Sequence, residues 1–303
     1  MRFWKSVPGA FVLVLLIGVG VAGAAVGQRV YRVTHPPRQT EDNLTVTSAL
    51  VPIEEVQFEA SDGVPLHGWL LEGDPDRPFI VLCHSLGSSK SSVLDLGVRL
   101  QKYGFNLLLF DFRGHGRSGG EASSLGINEK RDIIGAIDYL DSLDGVRMDR
   151  IGLYGVGMGA HAGVLASIDR PAIKVLVLDG LYPDASFTLN RKVFGGWAFG
   201  TDHLGFAPRA AFAMMTPAPA GDRRAADVLP RLVGRDVLLL APTGDAALTR
   251  EMEAMYATIP EQRDSDGNLA LLPATRHENR YGEDLETLEA RVAEFFWSRL
   301  VGA

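Results

Sequence analysis

From residue 51 onward, short apolar runs alternate with longer segments whose apolar residues recur every three or four positions. This alternation constrains the chain more than any other feature, because it is the pattern of a largely parallel sheet with helices on both faces. Residues 56–60 and 66–71 read as an opening antiparallel pair joined through the Ser61-Asp62-Gly63 turn. Further short runs at 79–83, 106–110, 150–154, 174–178, 236–240 and 269–272 bring the expected strands to about eight. Helical periods fall at 91–103, 128–143, 248–259 and 285–300. Residues 181–229, rich in Phe, Trp, Met, Gly and Pro, break the alternation and are expected to form an inserted cap. A length of 303 residues suits one large α/β domain with a short appendage.

The appendage lies at the N-terminus, where a short leader with Arg2 and Lys5 precedes the uncharged, apolar residues 9–27. Such a stretch can span a bilayer, so a retained single-pass anchor is expected. The small residues Ala22-Gly23-Ala24 also offer a cleavage site, which keeps a secretory signal peptide as the alternative. Basic residues stand on both sides, with Arg29, Arg32 and Arg38 after the span, so their count sets no orientation. The main domain is expected outside the cytoplasm, tethered or, after cleavage, secreted. The expected division is a membrane segment at 1–30, a polar linker with Pro36-Pro37 at 31–50, and a folded domain at 51–303. A net charge of -7 without a Lys/Arg stripe argues against a nucleic-acid partner. The single cysteine, Cys83, cannot form an internal disulfide. No His and carboxylate spacing suggests a metal, and no cofactor is expected.

Three loops that follow apolar runs carry the candidate chemistry. They are His84-Ser85-Leu86-Gly87, the Asp111 to Gly120 loop with Arg113, His115 and Ser118, and Gly155-Val156-Gly157-Met158-Gly159, which opens a helix. Together they resemble the α/β-hydrolase superfamily, in its serine hydrolase and peptidase-like branch. The resemblance implies that the first loop turns amides towards a developing oxyanion, with Leu86 and Met158 as donors, although Ser85 stands where a glycine is usual. For the second loop it implies a structural role, with Asp111 and Arg113 joined by an ion pair and His115 not a base. The third loop has the form of a nucleophile elbow, G-x-S-x-G, with Gly157 at the serine position. Glycine takes positive φ without steric cost, so the turn is expected to survive while the hydroxyl is lost.

The same resemblance places the acid at Asp245, with Asp179 as the alternative, and the histidine at His277. A competing pattern overlaps the elbow: Gly155-x-Gly157-x-x-Ala160 fits a dinucleotide fingerprint, with Asp179 as its ribose partner, although it lies in mid-chain. Three functions therefore stand side by side. One is a membrane-tethered homologue without serine chemistry that binds through the old pocket and cap. The cap residues Phe187, Phe194, Trp197, Phe199, Phe206, Phe212, Met214 and Met215 favour a hydrophobic or acyl small molecule as its ligand. Another is a hydrolase of ester, thioester or amide bonds that uses water activated by His277, or Ser85 as an alternative nucleophile. The last is dinucleotide binding.

Overall fold

A computed structural model describes residues 7–39, 51–195, 206–216, 224–242, 244–259, 269–272 and 283–301. Its strands are β1 Glu54–Glu59, β2 Pro65–Leu71, β3 Phe79–Cys83, β4 Asn106–Phe110, β5 Ile151–Val156, β6 Ile173–Asp179, β7 Asp236–Pro242 and β8 Leu269–Leu272. They form one sheet in the order β1-β2-β4-β3-β5-β6-β7-β8. β2 runs antiparallel to β1 and β4, and every later pairing is parallel. The helices are α1 Val7–Thr34, α2 Leu94–Lys102, α3 Lys130–Asp141, α4 Met158–Asp169, α5 Ala185–Phe194, α6 Phe206–Met215, α7 Ala225–Val228, α8 Ala246–Tyr256 and α9 Glu283–Phe296. A 3₁₀ turn, Lys90–Val93, leads into α2, and a π turn, Trp297–Val301, follows α9.

The central strands are apolar on both faces because both are covered. On β3, Val81 and Cys83 join the cluster formed with α3, α4 and α8, while Ile80 and Leu82 join the cluster formed with α2 and α9. This two-sided burial holds the C-terminal ends of β3, β4 and β5 side by side, where the three singled-out loops emerge.

The N-terminal helix departs from the expected division. It continues to Thr34, four residues past the expected boundary at residue 30, and the segment after it is docked rather than free. Residues 11–25 are exposed, whereas Val26, Val30 and Val33 pack with Ala185, Leu189 and Val193 of α5 and with Phe212 and Met215 of α6. Thr34 is buried, and Arg38 donates to the carbonyls of Gly116 at 3.1 Å, Ser118 at 2.5 Å and Gly120 at 2.6 Å. Residues 34–39 lack an apolar period because polar groups dock them. The packed residues all lie beyond Ala24, so an anchor and a cleaved signal would both preserve this contact. Residues 40–50 of the expected linker lie outside the described residues.

Candidate active site

β5 ends at Val156, Gly157 turns with φ 51 and ψ -101, and α4 begins at Met158. The Gly157 amide donates to the Asp179 carbonyl at 2.8 Å, and its carbonyl accepts the His161 amide at 3.0 Å as the helix starts. The three glycines of the motif are needed for different reasons. A Cβ on Gly155 would lie 2.6 Å from the Ala160 nitrogen, and one on Gly159 would run into the Cys83 carbonyl oxygen. Backbone approach thus excludes side chains at both flanks. At Gly157 the nearest atom of the described residues to such a Cβ is the Ser85 Cβ, at 3.8 Å, an ordinary contact. Only the positive φ favours glycine there, so the turn has room for a side chain and carries none.

The Asp111 to Gly120 loop is braced differently from the expectation. Asp111 and Arg113 do not pair with each other. Asp111 accepts the Lys90 ammonium at 2.9 Å, the Lys90 amide at 2.8 Å and the Arg117 amide at 3.0 Å, with both charged side chains buried. Burial pushes its carboxyl up, but the Lys90 charge and these donors hold it below the usual range. Arg113 instead reaches Asp132 on α3 and Asp62 in the β1–β2 turn, each at 2.6 Å. The chain turns after β4, with Arg113 already in the turn, and each side chain meets a partner from another segment.

The Arg113 hydrogen bond holds the Asp62 carboxyl down at about 2, with burial opposing and Arg131 assisting. A folded value below the unfolded one means that its stabilisation is full above about pH 4 and is lost as pH falls through about 2. Asp62→Asn is therefore expected to lower the urea midpoint at neutral pH, with the difference from wild type closing between about pH 4 and 2. A difference that stays constant down to about pH 2 would contradict this assignment.

Two buried histidines join the first and second loops. His84 donates through Nδ1 to the Ser85 carbonyl at 2.8 Å and accepts the Phe112 amide at Nε2, at 3.0 Å. His115 donates through Nδ1 to the Arg113 carbonyl at 2.9 Å and accepts the Gly87 amide at Nε2, at 3.0 Å. An accepted amide at each Nε2 assigns both tautomers as Nδ1–H. Burial pushes both rings down, His84 to about 3, which keeps them neutral. Their work is to fix the loop that carries Leu86. Nothing in residue spacing signals this cross-brace, because the partners are backbone groups of distant segments.

The candidate acids are both engaged. Asp245 caps α8, accepting the Leu248 amide at 3.1 Å, and its other oxygen meets Arg191 of α5 at 2.5 Å. Sequence reasoning missed this link between cap and domain. Asp179, at the end of β6, is 1% exposed and accepts the Tyr154 hydroxyl at 3.0 Å. His277 lies outside the described residues, as do Trp197 and Phe199. Of the remaining apolar cap residues, Phe187, Phe194, Phe212 and Met215 pack against the buried clusters, whereas Phe206 and Met214 are exposed. Met158 opens α4, so its amide has no acceptor within the helix. Leu86 packs against both the sheet cluster and the cluster shared by cap and α1.

Residues 74–180 match the family described as serine aminopeptidase, S33. The uncharacterized protein YfhR of Escherichia coli O157:H7 is 31% identical over 150 residues, covering 47% of this chain and 52% of that protein. Its namesake in Salmonella typhi is 27% identical over 240 residues, 73% of this chain and 75% of that protein. The thiohydrolase aneE of Aspergillus aculeatus is 30% identical over 151 residues, 46% of this chain and 48% of that protein. The matches thus span from about half to three quarters of these relatives' lengths. Among solved structures, the Pyrococcus furiosus esterase Pf2001 superposes with a TM-score of 0.67 at 22% identity, covering 89% of this chain and 99% of that one.

Proposed function

We propose that this chain, which has the α/β-hydrolase fold, retains that fold's pocket for binding while lacking serine-dependent hydrolysis. The observation that carries this reading is Gly157, which holds the φ of a nucleophile elbow and presents no side chain to the space beside Ser85. In a serine hydrolase the hydroxyl bonds to the substrate carbonyl while histidine takes its proton. Without it no acyl intermediate forms. The Met158 amide at the head of α4 still offers a donor to a carbonyl or carboxylate oxygen, with the Leu86 amide as the proposed second donor. A small molecule with such a group and an apolar or acyl tail suits that arrangement. Asp245 supports the reading too, because its two oxygens serve the α8 cap and Arg191.

The same reading makes α1 a membrane tether with the main domain outside the cytoplasm. Its support is a stretch from Phe11 to Thr34 with mean hydropathy 2.2, of which residues 11–25 stay exposed in the fold. Dinucleotide binding gains no support, because the buried Asp179 carboxylate accepts the Tyr154 hydroxyl instead of facing a ribose.

Ser85 favours a second reading. Its Cβ stands 3.8 Å from the site a Gly157 Cβ would take, making it a hydroxyl beside the vacant position, with His277 as the base. A panel of esters, thioesters and amides offered to the full chain, Ser85→Ala and His277→Ala separates the two. No turnover above buffer is expected from any of the three. Turnover by wild type that falls about 10²-fold or more in either variant would establish the second reading instead.

A further inference from the structure

Where α1 leaves its exposed apolar stretch, an open cavity of about 400 Å³ lies between α1 and α5. Arg29, Arg32 and Lys192 stand around it, Val33, Val193 and Phe194 give it apolar walls, and no carboxylate among the described residues lines it. Arg29 is oriented by donating to the Val193 carbonyl at 2.8 Å, while Arg32 and Lys192 are exposed and form no ion pair with a described residue. Three like charges held together with no counterion among the described residues call for an anion, and guanidinium and ammonium groups together match a phosphate.

Position indicates which anion. No charge interrupts the chain between Lys5 and Arg29. At about 1.5 Å of rise per residue that stretch crosses a hydrocarbon core of about 30 Å, which brings Arg29 and Arg32 to the headgroup level. A soluble phosphate would use the cations and leave the half-buried Val33 and Phe194 uncovered, whereas a lipid would cover both.

We infer that this cavity binds the phosphate of an anionic phospholipid, with an acyl chain laid against Val33 and Phe194. The inference rests on the tether reading. A bound lipid would grip α5, the helix whose Arg191 holds Asp245, and so fix the cap, and the elbow beneath it, at the membrane surface.

The test uses the full chain in nanodiscs of equimolar phosphatidylglycerol and phosphatidylcholine, with retained lipids counted by native mass spectrometry. Wild type is expected to retain phosphatidylglycerol at least about tenfold over phosphatidylcholine. Each cation removed lowers the preference about fivefold, so Lys192→Gln should keep about a twofold preference and Arg32→Gln/Lys192→Gln none. Neither side chain makes a hydrogen bond with a described residue, and both variants should match the wild-type Tm in phosphatidylcholine nanodiscs. No preference in wild type, or a preference unchanged in both variants, overturns the site. Stabilisation by millimolar inorganic phosphate equal to that by phosphatidylglycerol overturns the lipid in favour of a free anion. Flotation with phosphatidylcholine vesicles alone reads the tether: failure to float defeats that reading, whereas flotation without headgroup preference defeats only the lipid site.

Discussion

Gly157→Ser is expected to create serine esterase activity, raising kcat/KM for a short p-nitrophenyl ester about 10³-fold or more over the parent. The expectation follows from the elbow's geometry. Among the described residues a Cβ there comes within 4 Å only of the Ser85 Cβ, at 3.8 Å, so the new side chain displaces none of them. Stability should move the other way, because a non-glycine residue at φ 51 costs about 1–3 kcal/mol. In a domain of this size that lowers Tm by roughly 2–10 °C. Gain of activity with loss of stability marks a site that lacks only its nucleophile. Loss of stability without activity would place further changes at Asp245 or His277.

Lys90→Met is expected to cost about 3–5 kcal/mol, since it leaves the buried Asp111 carboxylate without its charge partner. Methionine nearly preserves the apolar volume beside Trp69, over whose ring the Lys90 ammonium sits at 4.4 Å, so the loss isolates the charge. Thermal unfolding should fall by roughly 10 °C or more. A Tm within about 3 °C of wild type would mean that Asp111 is held by the Lys90 and Arg117 amides alone. Because Lys90 begins the turn after the Leu86 loop, the same change should weaken ligand binding at the elbow.

The sheet was legible in the sequence because β1 alternates and β3 to β7 bury both faces, and each apolar run lies within a residue or two of an observed strand. β7 extends to Pro242, a position that a pattern of apolar run lengths misses, because its burial continues beyond Leu240. The elbow was legible too, since Gly155 and Gly159 are fixed by backbone contacts that permit no alternative.

Partnerships across the chain were not legible. Asp111 and Arg113 are two residues apart and opposite in charge, yet Lys90, Asp62 and Asp132 claim them from three other segments. Arg191 sits in the aperiodic cap, so nothing in its neighbourhood signals Asp245. Residues 34–39 read as a linker because Thr34 and Arg38 dock through hydrogen bonds, which leave no hydrophobic period. Periodicity reports burial of apolar faces, and these features are polar.

The absence of a nucleophile at the elbow is tested most directly by intact-mass analysis of the full chain after exposure to a fluorophosphonate, with Gly157→Ser treated alongside. An unmodified wild type and a single stoichiometric adduct on the variant are expected. A stoichiometric adduct on the wild type, mapped to Ser85 or another residue at the elbow, would contradict the account.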